Sequence, residues 1–180
     1  WGYESCYGGE KEQPSLPQFA SSTINMVANY YKPGPATTAM RIANPGARSS
    51  TDKGDWYVAG NYFQGRADII ANNWLGVAGA NYIQLGAPWA AMPINQQTPQ
   101  DAYLSVLDKV GCSFPTRDQV DADIVDDVRN GTAKYGNQGI ISVPADVGGW
   151  PALASGTPPV DNDHDGMPAS WEAAHGLSDS

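Results

Sequence analysis

Short apolar strands that end in asparagine recur along the first half of the chain, and this recurrence restricts the fold more than any other feature. Val27-Ala28-Asn29-Tyr30-Tyr31 is echoed by Val58-Ala59-Gly60-Asn61-Tyr62-Phe63. Asn61-Tyr62-Phe63-Gln64-Gly65 is echoed in turn by Asn81-Tyr82-Ile83-Gln84-Leu85-Gly86. The interval from Asn29 to Asn61 is longer than the interval from Asn61 to Asn81. Spacings near twenty suggest stacked coils of a parallel β-solenoid. At the corners of such a fold, one Asn amide can bond the next and satisfy the turn. The longer interval then holds a loop from Lys32 to Asp55, rich in Pro, Gly and Ser. Three unrelated hairpin strands in a sandwich fit the same pattern almost equally well.

Composition agrees with a β-rich chain. Of 180 residues, 20 are Gly and 14 are Pro, while only 16% are charged. Few charges with many turn residues, Asn and Tyr favour strands joined by long loops. No run of about eighteen apolar residues is present, so no membrane span is expected. The net charge of −9 is uneven. Residues 161–180 hold five acids and no Lys or Arg, whereas residues 1–66 carry about +1. An acidic chain argues against a nucleic-acid partner. An acidic substrate would meet the first third of the chain or be bridged by metal. The chain opens at Trp1 without Met or a signal sequence, as expected of a mature form or an excerpt.

The second half changes to helical patterning. Thr98 reads as an N-cap, Pro99 as the first helical residue and Asp101 as a first-turn acid. Tyr103, Val106, Leu107 and Val110 follow on one stripe, and Gly111 ends the helix. A second helix is predicted from Arg117 to Asn130, capped by Thr116, with Val120, Ile124 and Val128 inward and Gly131 as its stop. Its acids Asp118, Asp121, Asp123, Asp126 and Asp127 read as a solvated face rather than a second metal site. Residues 139–150 read as an extended covering segment, with Val143-Pro144 and Gly148-Gly149-Trp150-Pro151 as turns.

Asp161-Asn162-Asp163-His164-Asp165-Gly166-Met167-Pro168-Ala169-Ser170-Trp171-Glu172 matches the twelve-residue calcium loop D-x-[DN]-x-[DN]-G-x5-E. Asp161, Asp163 and Asp165 occupy positions 1, 3 and 5. Gly166 permits the sharp turn. The Met167 carbonyl would supply the position-7 ligand, and Glu172 would reach back as a bidentate ligand. Ala169 at position 9 leaves that place to water. Ala169 to His175 reads as a short helix ended by Gly176, and Thr157-Pro158-Pro159 disfavours an incoming helix. A loop with one helix suits a structural clip better than an opening sensor. The competing reading is an acidic solvated turn. Calcium is thus the expected cofactor, and a calcium-rich extracytoplasmic setting follows. There Cys6 and Cys112 could pair, or remain two separate thiols.

At Ala28-Asn29-Tyr30-Tyr31-Lys32-Pro33-Gly34-Pro35-Ala36-Thr37 the chain resembles secreted bacterial pectate lyases of the first polysaccharide lyase family. The opening Trp1-Gly2-Tyr3-Glu4-Ser5-Cys6-Tyr7-Gly8-Gly9-Glu10 and Trp56-Tyr57-Val58-Ala59-Gly60-Asn61-Tyr62 add to the resemblance. So do Phe114-Pro115-Thr116-Arg117-Asp118-Gln119-Val120-Asp121, Gly148-Gly149-Trp150-Pro151 and the acidic loop. The resemblance implies incomplete coils of a right-handed parallel β-helix, then two short helices and the C-terminal calcium loop. In residues this divides the chain into coils with long lateral loops over 1–97, helical and extended segments packed on them over 98–155, and the calcium loop with its helix over 156–180. It also implies calcium-dependent β-elimination of polygalacturonate outside the cell, with an arginine as base. No residue here matches the family's catalytic motif, so the resemblance is to the back half of such an enzyme.

Lys32 and Arg41 flank the Pro-Gly-Pro loop and could pair with uronate carboxylates, although surface charge or loop anchoring fits them too. Trp56, Trp74, Trp89 and Trp150 could be sugar platforms, although packing is the simpler role. His164 and His175 lack a nucleophile or paired acid nearby in sequence. Asn130-Gly131-Thr132 is a glycosylation sequon, a weak match in a bacterial protein. The expected partner is pectate or another protein chain, including a second copy, covering an exposed β-helix end. A non-catalytic, calcium-stabilised structural protein is the alternative function.

Overall fold

The computed structural model describes residues 5–12, 15, 17, 20–150, 152 and 154–178. Trp1 to Glu4 of the opening motif, and Pro151, lie outside these residues. The chain forms two compact units, Trp1–Val147 and Gly148–Ser180. No described helix is long and apolar enough to cross a membrane.

The first unit contains seven strands among its described residues. They are β1 (Tyr7–Gly8), β2 (Thr23–Val27), β3 (Tyr30–Tyr31), β4 (Asn44–Pro45), β5 (Gly54–Ala59), β6 (Tyr62–Phe63) and β7 (Tyr82–Gln84). Every pairing between them is parallel: β1 with β4, β2 with β5, β5 with β7, and β3 with β6. Successive strands therefore visit three separate sheets in turn, and then the same three again. Hairpins cannot produce parallel neighbours, so the sandwich reading is excluded for these strands. The arrangement fits a β-helix-like fold.

The longer of the two asparagine intervals is the pairing register. Ile24 lies opposite Trp56, Val27 opposite Ala59, and Tyr30 opposite Tyr62. The shorter interval is not a register. β7 pairs with β5 so that Tyr82 faces Gly54 and Gln84 faces Trp56. Tyr82 thus aligns with the start of β5 rather than with Tyr62, and Asn81 does not join the asparagine corner. The sequence match placed Asn81 there because Asn-Tyr recurs, but the hydrogen-bonded register overrules so short a likeness.

β5 shows why these residues form a half-buried strand. Its burial alternates, with Gly54, Trp56 and Val58 inward and Asp55, Tyr57 and Ala59 partly exposed. Ile42, Ala43, Trp56, Val58, Phe63, Ile69 and Val77 make the core, flanked by Cys6, Ile24, Met26, Tyr31, Trp74 and Tyr82. Two glycines make room for it. A Cβ on Gly54 would overlap the carbonyl oxygen of Gly9, and one on Gly9 would lie 2.6 Å from the Trp56 ring.

The short helix α1 (Ala67–Ala71) and a 3₁₀ turn at Asn73–Gly76 close one side, burying Ile69 and Asn73. Helix α2 (Pro99–Lys109) starts as expected, with the Thr98 side chain accepting a bond from the Asp101 amide. Leu107 is buried, but Val106 and Val110 are exposed, so the inward stripe is narrower than the sequence suggested. Helix α3 (Gln119–Asn130) is capped by Asp118, not Thr116, and ends at left-handed Gly131. Its inward residues are Asp123 and Val125, while Ile124 is exposed. Periodicity favoured an all-apolar stripe: Val120 and Val128 are half-buried as expected, but Ile124 is not, and Asp123 is turned inward with Gln119, Lys134 and Tyr135 as its polar partners. Residues 139–150 are less extended than expected, because Ile140 bridges Asn137 in a tight turn, while the turn expected at Val143-Pro144 is present as a 3₁₀ turn over Pro144–Val147.

Candidate metal centre

In the second unit, helix α4 (Ala169–His175) begins after Pro168 and ends at left-handed Gly176. Its first amide, on Ala169, donates to the Val160 carbonyl over 2.8 Å and closes the preceding loop into a ring. Inside that ring the carboxylates are organised by backbone amides. Asp161 accepts from the His164 and Gly166 amides at 2.7 and 3.0 Å. Asp163 accepts from Asp165 at 3.3 Å, and Asp165 from Met167 at 2.8 Å. His164 and Gly166 take the left-handed conformation, with φ of 61° and 93°. These two reversals fold the loop tightly enough to bring three acids together.

Carboxylate oxygens of Asp161, Asp163 and Asp165 lie within 4.8 Å of one another. Like charges this close repel unless a cation or a proton intervenes. A set of hard carboxylate oxygens on a glycine-hinged loop fits calcium chemistry. Met167 is half-buried and contributes its amide to Asp165. Glu172 is not in the group of mutually close carboxylates, but it is the most buried acid among the described residues of this unit, at 1% exposure. His175 stacks on Trp171 with ring centroids 4.0 Å apart.

The first unit gives the other candidates different surroundings. The Lys32 ammonium donates to the Arg129 carbonyl at 2.7 Å and the Tyr103 hydroxyl at 3.1 Å. It joins β3's exit to α2 and α3, which matches loop anchoring. Arg41 is half-buried, and its carbonyl accepts from Ser5 Oγ. Trp56 is fully buried and Trp74 stacks on Tyr82, whereas Trp89 is exposed, as is Trp150 of the second unit. Cys6 and Cys112 are separate free thiols, half-buried and exposed respectively. The pairing that the sequence allowed is not formed. Burial raises the Cys6 thiol above its ordinary pKa.

Three polar clusters stand out: the sequence foresaw Asn29 and Asn61 in the first but not Asn73, and the other two escaped it. At the corner between β2–β5 and β3–β6, Asn61 Oδ1 accepts from the Asn29 amide and side chain at 2.9 and 3.0 Å. Asn61 Nδ2 donates to the Met26 carbonyl at 2.7 Å, and Asn73 Oδ1 accepts from the Asn61 amide at 2.7 Å. Asn73, not Asn81, extends the corner, and no strand pattern around residue 73 signalled it. In the lateral loop, buried Asp52 accepts from the amides of Glu12 and Arg48 and from Arg48 Nε. The Arg48 guanidinium holds the Asp52 carboxyl far below the usual carboxylate range. Asp123 accepts from Lys134 Nζ at 2.7 Å, Gln119 Nε2 at 2.9 Å and Tyr135 OH at 3.0 Å, and Lys134 leads in lowering its pKa. An Arg and an Asp at i, i+4 was a legible signal for the second cluster. The third joins α3 to Lys134 and Tyr135, which only the turn after that helix brings together.

No family model matches the chain. Curated relatives do. A "Probable pectate lyase C" of Aspergillus terreus is 32% identical over 162 residues, covering 86% of this chain and 36% of that protein. Proteins of the same printed name from Aspergillus flavus and Aspergillus oryzae are each 34% identical over 163 residues, with the same two coverages. The chain spans about a third of the length of the curated relatives it matches. These relatives are fungal, which does not support the bacterial source expected from the sequence. The similarity over 86% of the chain supports a place in the pectate lyase family.

Proposed function

We propose that this chain is a scaffold and calcium-clip segment of a secreted protein that cleaves polygalacturonate by β-elimination. The observation that carries the reading is the similarity to proteins named pectate lyase C across most of the chain. The parallel strands are consistent with it, as is the convergence of three carboxylates. In this reading residues 1–97 wind as right-handed coils, 98–155 pack on them and 156–180 hold calcium. Asp161, Asp163 and Asp165 hold the ion, aided by the Met167 carbonyl and Glu172. Bound calcium supplies charge compensation to the loop. The chain's own part is to aim the acids: amides of His164, Gly166 and Met167 fix Asp161 and Asp165 in place. The catalytic base is assigned to none of these residues. Lys32 and Arg41 remain candidates for uronate contact, although Lys32 would have to leave Arg129 and Tyr103 to make it.

Two measurements test the proposal. Calorimetric titration of the chain with calcium is expected to show one site, lost in Asp161→Ala with Asp163→Ala. Absence of calcium-dependent heat from the folded chain removes the clip. Incubation with polygalacturonate and calcium, followed by absorbance of unsaturated uronates, tests autonomous cleavage. The expected result is no product.

A second reading is a non-catalytic structural protein that associates through strand edges. It rests on β2, which pairs with β5 on one side and with no described strand on the other. Such an edge recruits another chain or another copy. Light scattering with and without chelator distinguishes the readings: a chelator-indifferent monomer excludes self-association.

A further inference from the structure

The Asn130-Gly131-Thr132 sequon is the only Asn-x-Ser/Thr in the 180 residues, and the structure gives it a surface position. Asn130 is the last residue of α3 and is exposed, as are Gly131 and Thr132. The Asn130 Nδ2 group lies along the helix surface and donates to the exposed Asp126 carboxylate at 2.9 Å. A glycosylated amide keeps one N–H, so this bond survives the modification. The fungal source of the relatives makes a eukaryotic secretory route relevant to this chain.

We propose that Asn130 accepts an N-linked glycan when the chain enters a eukaryotic secretory pathway, and that it does so only before the turn after α3 closes. The amide nitrogen of Asn130 attacks C1 of the first sugar of a lipid-diphosphate-linked oligosaccharide. The N–C1 bond forms as the C1–O bond to the diphosphate breaks. The bonding electrons leave with the lipid diphosphate, and the amide loses one proton to solvent.

The timing follows from the folded turn. The Thr132 hydroxyl donates to Asp127 Oδ1 at 2.6 Å, and the Thr132 amide donates to the Asp127 carbonyl at 3.0 Å. Lys134 adds its amide to Asp127 Oδ2 at 2.9 Å. The folded sequon is therefore a closed helix exit, with its hydroxyl committed to Asp127. An extended acceptor with a free hydroxyl exists only in the unfolded chain.

The test is translation of the full chain behind a cleavable secretory leader in the presence of microsomes. Protease-protected wild type is expected to gain one glycan's mobility shift, reversed by a peptide N-glycosidase that converts Asn130 to the acid. Asn130→Gln, which leaves the Thr132–Asp127 closure intact, is expected to lose the shift. Folded chain added to microsomes after synthesis, with detergent to admit it, is expected to gain none. A protease-protected wild type without the shift overturns acceptance, and a shift of the folded chain overturns the timing. Because the readout is mobility and mass, it is independent of whether the chain cleaves or binds a polysaccharide.

Discussion

Asn61 shows how much one side chain can carry. It is 2% exposed and bonds the Asn29, Met26 and Asn73 positions on both sides of it. Asn61→Ala would strand the Met26 carbonyl and the Asn29 amide, at about 1–3 kcal/mol for a buried group left unsatisfied. Urea unfolding is expected to show a loss of about 2–4 kcal/mol; a loss below about 0.5 kcal/mol would mean water replaces the amide. Its neighbour tells a complementary story. Ala28 sits at φ 53°, and Gly60, at the matching place after β5, sits at φ 67°. A left-handed Ala costs roughly 1–2 kcal/mol, part of which glycine returns as unfolded-state entropy. Ala28→Gly is therefore expected to stabilise the chain by about 0.5–1 kcal/mol, and a destabilisation in the same melts would refute the strain argument.

At the scale of elements, α2 and α3 are joined to the strands by few but specific contacts. Tyr103 stacks on Tyr30 at 4.5 Å, Tyr30 meets Tyr62 at 4.8 Å, and Lys32 spans from Tyr103 to the end of α3. Lys32→Met keeps the aliphatic stem and removes the donor. The expected outcome is a loss of about 1–2 kcal/mol, with faster amide exchange in α3; unchanged exchange would show that stacking alone holds the helices. The pH dependence also belongs to elements. Asp52 ties the lateral loop to the N-terminal segment, and Asp123 ties α3 to the turn that follows it. Both have folded pKa values depressed below their unfolded values by a cationic partner. Their stabilisation is therefore complete above the unfolded carboxyl pKa of about 3.9. It is lost as pH falls from there through the folded values. Unfolding titrations are expected to steepen below about pH 5, and Asp52→Asn is expected to flatten the curve. An equal acid slope in the variant would assign the effect to other carboxyls.

For the whole molecule, the proposed calcium site gives the lever. In the proposed reading, ligand at a hundred times its Kd adds about 2.7 kcal/mol to the stability of the second unit. Trp171, half-exposed and stacked on His175, reports on that unit by fluorescence. Chelator is expected to lower the temperature of the Trp171 transition while leaving the core transition around Trp56 in place. A common shift of both would show that the two units unfold together.

The chain's own residues determined a good deal. The strands that end at Asn29 and Asn61, the Thr98-capped helix, the left-handed stops at Gly131 and Gly176, and the acidic loop all rest on local patterns, because caps, turns and alternation act over short stretches, whereas the parallel pairing that excludes a sandwich does not. Tertiary structure decided what local pattern cannot reach. It set Tyr82 opposite Gly54 instead of beside Tyr62, and put Asn73 in the corner. It turned Asp123 inward toward Lys134, gave Lys32 to the helices, and kept Cys6 and Cys112 apart. Each outcome depends on which distant groups meet, and burial favours arrangements in which most enclosed polar atoms find partners.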